Sequence, residues 1–273
     1  MICPHCQSRE VQKLNQTTNL GYSEFRCGEC RRKSNERTGT PFNYLELPTD
    51  IVFEIVLCRL RYKLSLRNLA EMFLLRGFEF THEAVRDWEE RFAPLLAEHI
   101  RRKRKGKVGR RWYVDETYVK VKGKWCYLYR AIDREGNLVD SMLSATRDMD
   151  AAQRFFRSAR SMSNVVPTQV TTDGHDSYPR AIQETLGPKV KHRCSAYMNR
   201  RIERNHREVK QRYYPMRSFG TIEGAACFCC AFDELRNYLR PRRTMGEGVS
   251  LLEQRRAFLQ RLAALQTLIQ AAS

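Results

Sequence analysis

Two sets of residues in this chain combine types and spacings that do chemistry. Cys3 and Cys6 in CPHC, and Cys27 and Cys30 in CGEC, form two CxxC knuckles separated by 20 residues. Each knuckle presents two thiolates, and four thiolates complete the closed tetrahedral shell of one structural zinc ion. His5, inside the first knuckle, reads as a solvent-facing turn residue. The second set is Asp115, Asp173 and Glu203, placed in turn in a strand-like run, at a strand end and on a basic helix. Three carboxylates converging from separate elements can hold two divalent cations, and two cations can drive in-line phosphoryl transfer on DNA. Magnesium or manganese suits such a set, because hard cations take oxygen ligands and keep several waters. In that arrangement Asp115 bridges both ions while Asp173 and Glu203 hold one each.

The elements that must position these residues can be read from periodicity and turn signals. Between the knuckles, VQKLNQTT and YSEFRC read as short strands of a zinc ribbon, a unit too small to fold without its metal. Arg31, Arg32 and Lys33 come next, either touching phosphates or forming a solvated basic tail. After the turn Gly39 to Pro41 the pattern becomes helical, with Ile51, Val52, Ile55, Val56 and Leu60 on one face. Ser65 to Gly77 reads as a capped helix ended by glycine, and Thr81 to Phe92 as a second helix capped by Thr81. The pair has the form of a helix-turn-helix whose recognition helix presents His82 and Arg86 to DNA. A plain helical hairpin fits the same pattern, and Glu83, Asp87, Glu89 and Glu90 are acidic for a groove reader. Eight Lys or Arg then crowd Arg101 to Arg111. Such a run is a solvated linker, and Arg101, Arg102, Lys103, Arg104 and Lys105 are also well sited to track a phosphate backbone.

From Arg111 the period changes to that of strands. RWYVDETYVKVKG, KWCYLYRAIDREG and NLVDSMLSATR are extended runs separated by the turns Lys122-Gly123-Lys124 and Arg134 to Asn137, an antiparallel meander. A helix DMDAAQRFFRSAR, a strand TQVTTD, a helix SYPRAIQETLG and a long helix beginning near Met198 complete the series. The expected fold class is α/β, an RNase H-like catalytic domain with a mixed sheet flanked by helices. In that order the middle of the first strand lies beside the end of the fourth, where Asp115 and Asp173 fall. The chain therefore divides into a zinc ribbon at 1–40, a helix-turn-helix region at 41–98, a basic linker at 99–110, the catalytic domain at 111–240 and a C-terminal helix at 241–273.

Charge and composition narrow the partners. A net charge of +18 and a pI near 9.7 favour a polyanion, with nucleic acid foremost; a basic protein that touches nucleic acid only non-specifically has the same charge. No stretch approaches the roughly 18 apolar residues of a membrane span, and MICPHC lacks the apolar region of a signal peptide. Neither membrane nor small-molecule substrate is expected. Ten cysteines, four in the metal pattern and the rest scattered in apolar runs, fit a reducing, cytoplasmic compartment.

WYVDETYVKVKGKWCYLYRAID, VTTDGHDSYPRAI and HRCSAYMNRRIERNHREVKQRYYPMRSF together resemble the DDE transposases of the bacterial and archaeal insertion-sequence family six, in the subgroup with an N-terminal zinc ribbon and helix-turn-helix. The resemblance runs through nearly all of residues 40 to 240. It implies that Asp115, Asp173 and Glu203 are the catalytic triad and that Lys210 is the family's basic position after the glutamate. The connection from Asp173 to Glu203 is shorter than the family commonly has. Glu208 competes for the third place, but it stands outside the Ile-Glu of the motif and has no Lys seven residues later. Asn205 stands where relatives often have Asp. The resemblance further implies binding of terminal inverted repeats and target double-stranded DNA, replicative cointegrate formation, a homodimer or higher homo-oligomer, and a prokaryotic, nucleoid-associated location. A catalytically inactive or domesticated DNA-binding descendant is the alternative.

Glu203, His206, Arg207 and Lys210 are three, four and seven apart and share one helix face, which would aim Glu203 at the cations and Arg207 and Lys210 at the scissile strand. Strand alternation sends Glu116 to the opposite face from Asp115, which gives it a structural reading. Asp133 and Asp140 read as turn or edge residues, and Asp176 as the N-cap of SYPRAIQETLG. Trp125, Tyr127 and Tyr129 read as sheet packing, and Cys227, Cys229 and Cys230 as small apolar side chains of a buried helix. Near the C-terminus Leu251, Phe258, Leu262, Leu265 and Ile269 form a stripe that would pack on the catalytic domain or pair two subunits.

Overall fold

The computed structural model describes residues 1–195, 200–240 and 249–270. Met198, the start of the C-terminal segment at 241–248 and the side chain of Ile269 lie outside the described residues. At the N-terminus β1 (Val11–Thr17), β2 (Ser23–Cys27) and β3 (Lys33–Asn35) form an antiparallel sheet in that order. Lys33, read as part of a basic tail, instead opens β3, with Arg31 at φ 57° turning the chain into it. Tyr22 and Arg37 tie the ribbon to the start of the helical region. The Tyr22 hydroxyl accepts from the Thr49 amide at 3.0 Å, and Arg37 lies over the Tyr22 ring and donates to the Leu45 and Leu47 carbonyls.

Three helices come next: α1 (Thr49–Arg61), α2 (Leu66–Leu74) and α3 (His82–Arg104). Ser65 caps α2 and Thr81 caps α3, each accepting a backbone N–H, as expected from sequence. Ile55, Leu69, Phe73 and Val85 close their shared core. The expected end of the second helix at Phe92 is wrong. Pro94 sits on an exposed side and the helix runs through it, because Phe92, Leu96 and Ile100 continue one buried stripe. The next position of that stripe is Arg104, so the first half of the basic run is helix and not linker.

The larger sheet is five-stranded and mixed, in the order β6-β5-β4-β7-β8. Its meander is β4 (Arg111–Val121), β5 (Lys124–Asp133) and β6 (Leu138–Ser144), followed by α4 (Met149–Ser163), β7 (Gln169–Thr172) and α5 (Ser177–Leu186). Lys122 and Gly123, at φ 46° and 79°, make the two-residue β4–β5 hairpin, which needs positive φ at both positions. β7 joins β4 in parallel, and β8 (Lys191–Cys194) adds a parallel edge strand. The sequence reading missed β8, since a four-residue edge strand of Lys, His, Arg and Cys shows no run of alternating apolar residues. A three-strand meander followed by two parallel strands on the β4 side is the RNase H-like order. The chain then enters α6 (Arg200–Tyr213), a 3-10 turn (Tyr214–Met216), α7 (Ile222–Leu239) and α8 (Leu251–Gln270).

Two cores cover the sheet. Trp112, Val114, Tyr129 and Ala131 pack under α4 and α5 through Phe155, Phe156, Tyr178 and Ile182. On the other face Val119, Val121, Cys126 and Leu128 pack with α3, α6 and α7 through Ile100, Val209, Phe228 and Phe232. Cys229 is buried in that core as an apolar side chain, and Leu265 brings α8 onto it. Trp125, read as sheet packing, is 56% exposed but does meet its cross-strand neighbours, with the Tyr118 ring at 6.2 Å and Lys120 over its own ring at 5.7 Å.

Candidate active site and metal centres

The two knuckles converge. Sγ atoms of Cys3, Cys6, Cys27 and Cys30 all lie within 4.8 Å of one another, with Cys3 to Cys30 at 3.7 Å and Cys6 to Cys27 at 3.5 Å. Bonds of about 2.3 Å to a tetrahedral zinc place thiolate sulfurs about 3.8 Å apart. The four donors therefore fit one such ion, and the spacing is far beyond a disulfide bond. His5 contacts the Lys33 carbonyl instead of joining the group.

At the sheet, parallel pairing of Tyr113 with Thr171 carries Asp115 and Asp173 to neighbouring positions two residues on. Carboxylate oxygens of Asp115, Glu116 and Asp173 lie within 4.8 Å of one another. Burial first, then Glu116 and Asp173, raise the Asp115 pKa to about 7. Crowded, partly buried carboxylates of this kind are relieved by a cation, and their hard oxygens suit a divalent one. The family resemblance implies divalent-metal use, and these residues fit it. Alternation does send Glu116 to the α4 face, yet its carboxylate still reaches the group, so a purely structural role is too narrow.

Arg147, which the sequence reading did not single out, occupies part of this site. Its guanidinium forks onto Glu116 at 3.0 and 3.2 Å and reaches Asp173 at 3.2 Å. Asp173 also accepts from the His175 amide, and Gly174 beside it adopts φ 99°, a conformation that turns the chain sharply out of β7. Asp176 precedes α5 but makes no side-chain cap, a correction to its sequence reading: its backbone is already in the αR region, so its carboxylate does not fold back over the first N–H groups.

Helix α6 lies along β4. Its buried side carries Ile202, Asn205, His206, Val209 and Arg212. His206 Nδ1 lies 3.7 Å from Asp115, and burial, then Arg130 and Lys210, hold His206 neutral by pushing its pKa well below 6.5. Glu203 and Arg207 are exposed and Lys210 half-buried on the flank next to His206, as the three, four, seven spacing requires. Glu203 itself stands outside the acidic group of Asp115, Glu116 and Asp173. Glu208 points the other way and pairs with Arg236 of α7; although burial opposes it, that guanidinium holds its carboxyl below the usual range. Asn205 accepts from Arg130 at 2.6 Å and Arg236 at 2.9 Å, and Arg130, fully buried, forks onto Asp233. This network fixes the rotation of α6 and was invisible in sequence, because its members lie on separate elements.

The residues expected to face DNA divide. Arg104, 5% exposed, forks onto Glu234, and Arg101 bonds both Glu234 at 2.8 Å and Asp140 at 3.0 Å. These two are turned inward by the helical period and occupied by carboxylates. Arg102, paired with Glu98, Lys103 and Lys105 remain exposed. Asp140, read as an edge residue, is fully buried in this network. His82 and Arg86 open the second helix and both contact Glu83. Among the described residues no helix is long and apolar enough to cross a membrane.

A family model described as a DDE domain matches residues 109–242. Two Staphylococcus aureus proteins, the transposase for insertion sequence-like element IS431mec of strain Mu50 and the transposase for insertion sequence element IS257 in transposon Tn4003, are each 34% identical over 207 residues, covering 73% of this chain and 92% of theirs. Among solved structures, the HTLV-2 integrase catalytic core domain in complex with magnesium aligns over 54% of this chain and 96% of that chain, at 15% identity and a TM-score of 0.38.

Proposed function

The chain belongs to the DDE transposases of insertion-sequence family six and is thereby a DNA polynucleotidyl transferase; from that premise we propose that it binds the terminal inverted repeats of its element and transfers their 3′ ends into target DNA. The observation that carries the reading is the meeting of Asp115 and Asp173 on adjacent parallel strands, beside a helix whose near flank bears Glu203, Arg207 and Lys210. Asp115, Asp173 and Glu203 are assigned to hold two magnesium or manganese ions. When bound, those ions supply Lewis-acid charge at the scissile phosphate and lower the pKa of the attacking hydroxyl.

The chain's own residues do the positioning. Glu116 anchors Arg147, and Arg147 steadies Asp173. His206, neutral beside Asp115, adds no charge to compete there. Arg207 and Lys210 face the strand being cut. In each step an oxygen nucleophile forms a new bond to phosphorus in line with the oxygen that leaves. Water attacks first to free a 3′-hydroxyl, and that hydroxyl then attacks target DNA, so one site serves both steps. Transfer without cutting the second strand leads to a replicative cointegrate.

Within this reading 1–40 is a ribbon holding one zinc ion, 41–98 a DNA-binding helical region presenting His82 and Arg86, 99–110 a basic segment whose Arg102, Lys103 and Lys105 meet phosphates, 111–240 the catalytic domain and 241–273 a C-terminal helix. Two element ends must be joined together, which calls for a homodimer or larger homo-oligomer acting at the prokaryotic nucleoid. The test is strand transfer of a labelled terminal repeat into plasmid with magnesium. Wild type gives joined product, while Asp115→Asn and Glu203→Gln fall to background and still bind DNA. Wild type joining no better than Glu203→Gln would leave a DNA-binding protein without catalysis.

A further inference from the structure

A groove of about 910 Å³ separates the helical region from the α6–α7 side of the catalytic fold. Five Lys or Arg side chains line it, Arg59, Lys63, Arg67, Arg86 and Arg212, against two carboxylates, Glu89 and Glu90. Their pairing is uneven. Arg59 donates to Glu89 at 2.5 Å and Arg86 pairs with Glu83. Among the described residues no carboxylate pairs with Lys63, Arg67 or Arg212. Glu90 does not remove this excess of positive charge.

Arg212 distinguishes the groove from an ordinary basic surface. It is only 3% exposed, its Nε has no hydrogen-bond partner, and it donates from the other end of its fork to the Arg59 carbonyl. Its guanidinium and that of Arg59 lie over the same Phe228 ring, at 5.1 and 5.3 Å. Of these two buried guanidinium groups, only Arg59 contacts a carboxylate, Glu89. Burial, then Arg59, lowers the Arg212 pKa to about 10, and Glu89 offsets this only in part. An unpaired buried charge is destabilising unless something is bound to it. Three helix starts open onto the same groove at Ser65, His82 and Thr221, and helix N-termini offer free N–H groups to anions.

We propose that this groove is a phosphate-binding site, built around Arg212 and Arg59 with Lys63 and Arg67 at its rim, and that the phosphate it takes belongs to the backbone of duplex DNA. Arginine forks match phosphate oxygens in pairs, and phosphate contacts set register without reading sequence. Only the source of the phosphate rests on the reading of the chain as a DNA transferase; the anion chemistry stands apart from it. Arg212 lies nine residues beyond Glu203 on α6, about 14 Å along the helix axis. At about 100° per residue Arg212 falls on the side of α6 opposite Glu203, so a backbone phosphate fixed there belongs to duplex DNA held away from the scissile phosphate.

The experiment measures duplex binding by fluorescence anisotropy across a salt series in buffer without added magnesium or manganese, which spares the ribbon's zinc and stops catalysis, so failed strand transfer and a failed groove are read separately. Full-length wild type is compared with Arg212→Gln, with Arg67→Ala on the rim, and with Arg157→Ala, an equal charge loss on exposed α4. Arg212→Gln is expected to weaken binding about tenfold or more and to reduce the salt slope by about one; Arg67→Ala is expected to reduce that slope likewise and Arg157→Ala to leave it unchanged. Inorganic phosphate is expected to raise the melting temperature of wild type and not of Arg212→Gln. Should Arg212→Gln fail to fold, Arg67→Ala against Arg157→Ala decides. Wild-type affinity and slope in both groove variants overturn the DNA assignment, and loss of the inorganic-phosphate shift in wild type overturns the site itself.

Discussion

Glu234→Gln is expected to destabilise the protein through the helix that carries the basic run. Glu234 is fully buried on α7 and accepts from Arg104 at 2.6 and 2.7 Å and from Arg101 at 2.8 Å. Removing its charge leaves Arg104, 6% exposed at the side chain, without a carboxylate, while Arg101 keeps Asp140 at 3.0 Å. Breaking a buried pair from one side costs about 3–5 kcal/mol. Asp140 and the remaining amide oxygen of glutamine put the expected loss near the lower end, about 3 kcal/mol, or about 6–12 °C in melting temperature for a unit of this size. Urea unfolding followed by circular dichroism measures it, and hydrogen exchange should show α3 and α7 losing protection together. Arg102→Ala is the matched control. Its side chain is 76% exposed, so its stability change should stay within about 0.5 kcal/mol. A Glu234→Gln loss below about 1 kcal/mol, or one no larger than that of Arg102→Ala, would refute the argument that period and burial divide the basic run.

The same geometry sets other outcomes. Purified protein should carry one zinc per chain by metal analysis, and Cys27→Ser should lose both the metal and amide protection in β1 to β3. Glu208→Gln should retain strand transfer where Glu203→Gln loses it. Because pairing depresses the folded pKa of Glu208 below 4.5, its contribution is present above that value and disappears as pH falls through the folded value. Its carboxylate is 53% exposed, so the wild-type advantage over Glu208→Gln should be under about 1 kcal/mol at pH 7 and vanish in acid, as thermal melts at both pH values would register. Gly174→Ala meets Cys194 only at an ordinary 3.7 Å, so its penalty is the φ of 99°, about 1–2 kcal/mol. It should displace Asp173 and raise the magnesium concentration needed for half-maximal strand transfer.

The sequence alone determined the elements whose patterns are local. CxxC spacing pointed to a four-thiolate centre, Ser65 and Thr81 marked their helix starts, and the change of period at Arg111 marked the meander. Asp115 and Asp173 were legible because a motif and a strand position coincided, and parallel pairing then put them side by side. Tertiary structure decided everything that depends on which faces meet. It turned Arg101 and Arg104 inward while leaving Arg102 and Lys103 in solvent, a division that charge counting along the chain does not contain. It brought Arg147 from beyond β6 to Glu116 and Asp173, and sent Glu208 to Arg236 while leaving Glu203 on the flank beside His206. β8 escaped the sequence reading because a short polar edge strand has no hydrophobic signature. Local propensity and spacing act through neighbours in the chain, whereas charge pairing and burial act through neighbours in space, and only the folded arrangement of α3, α6 and α7 against the sheet defines those.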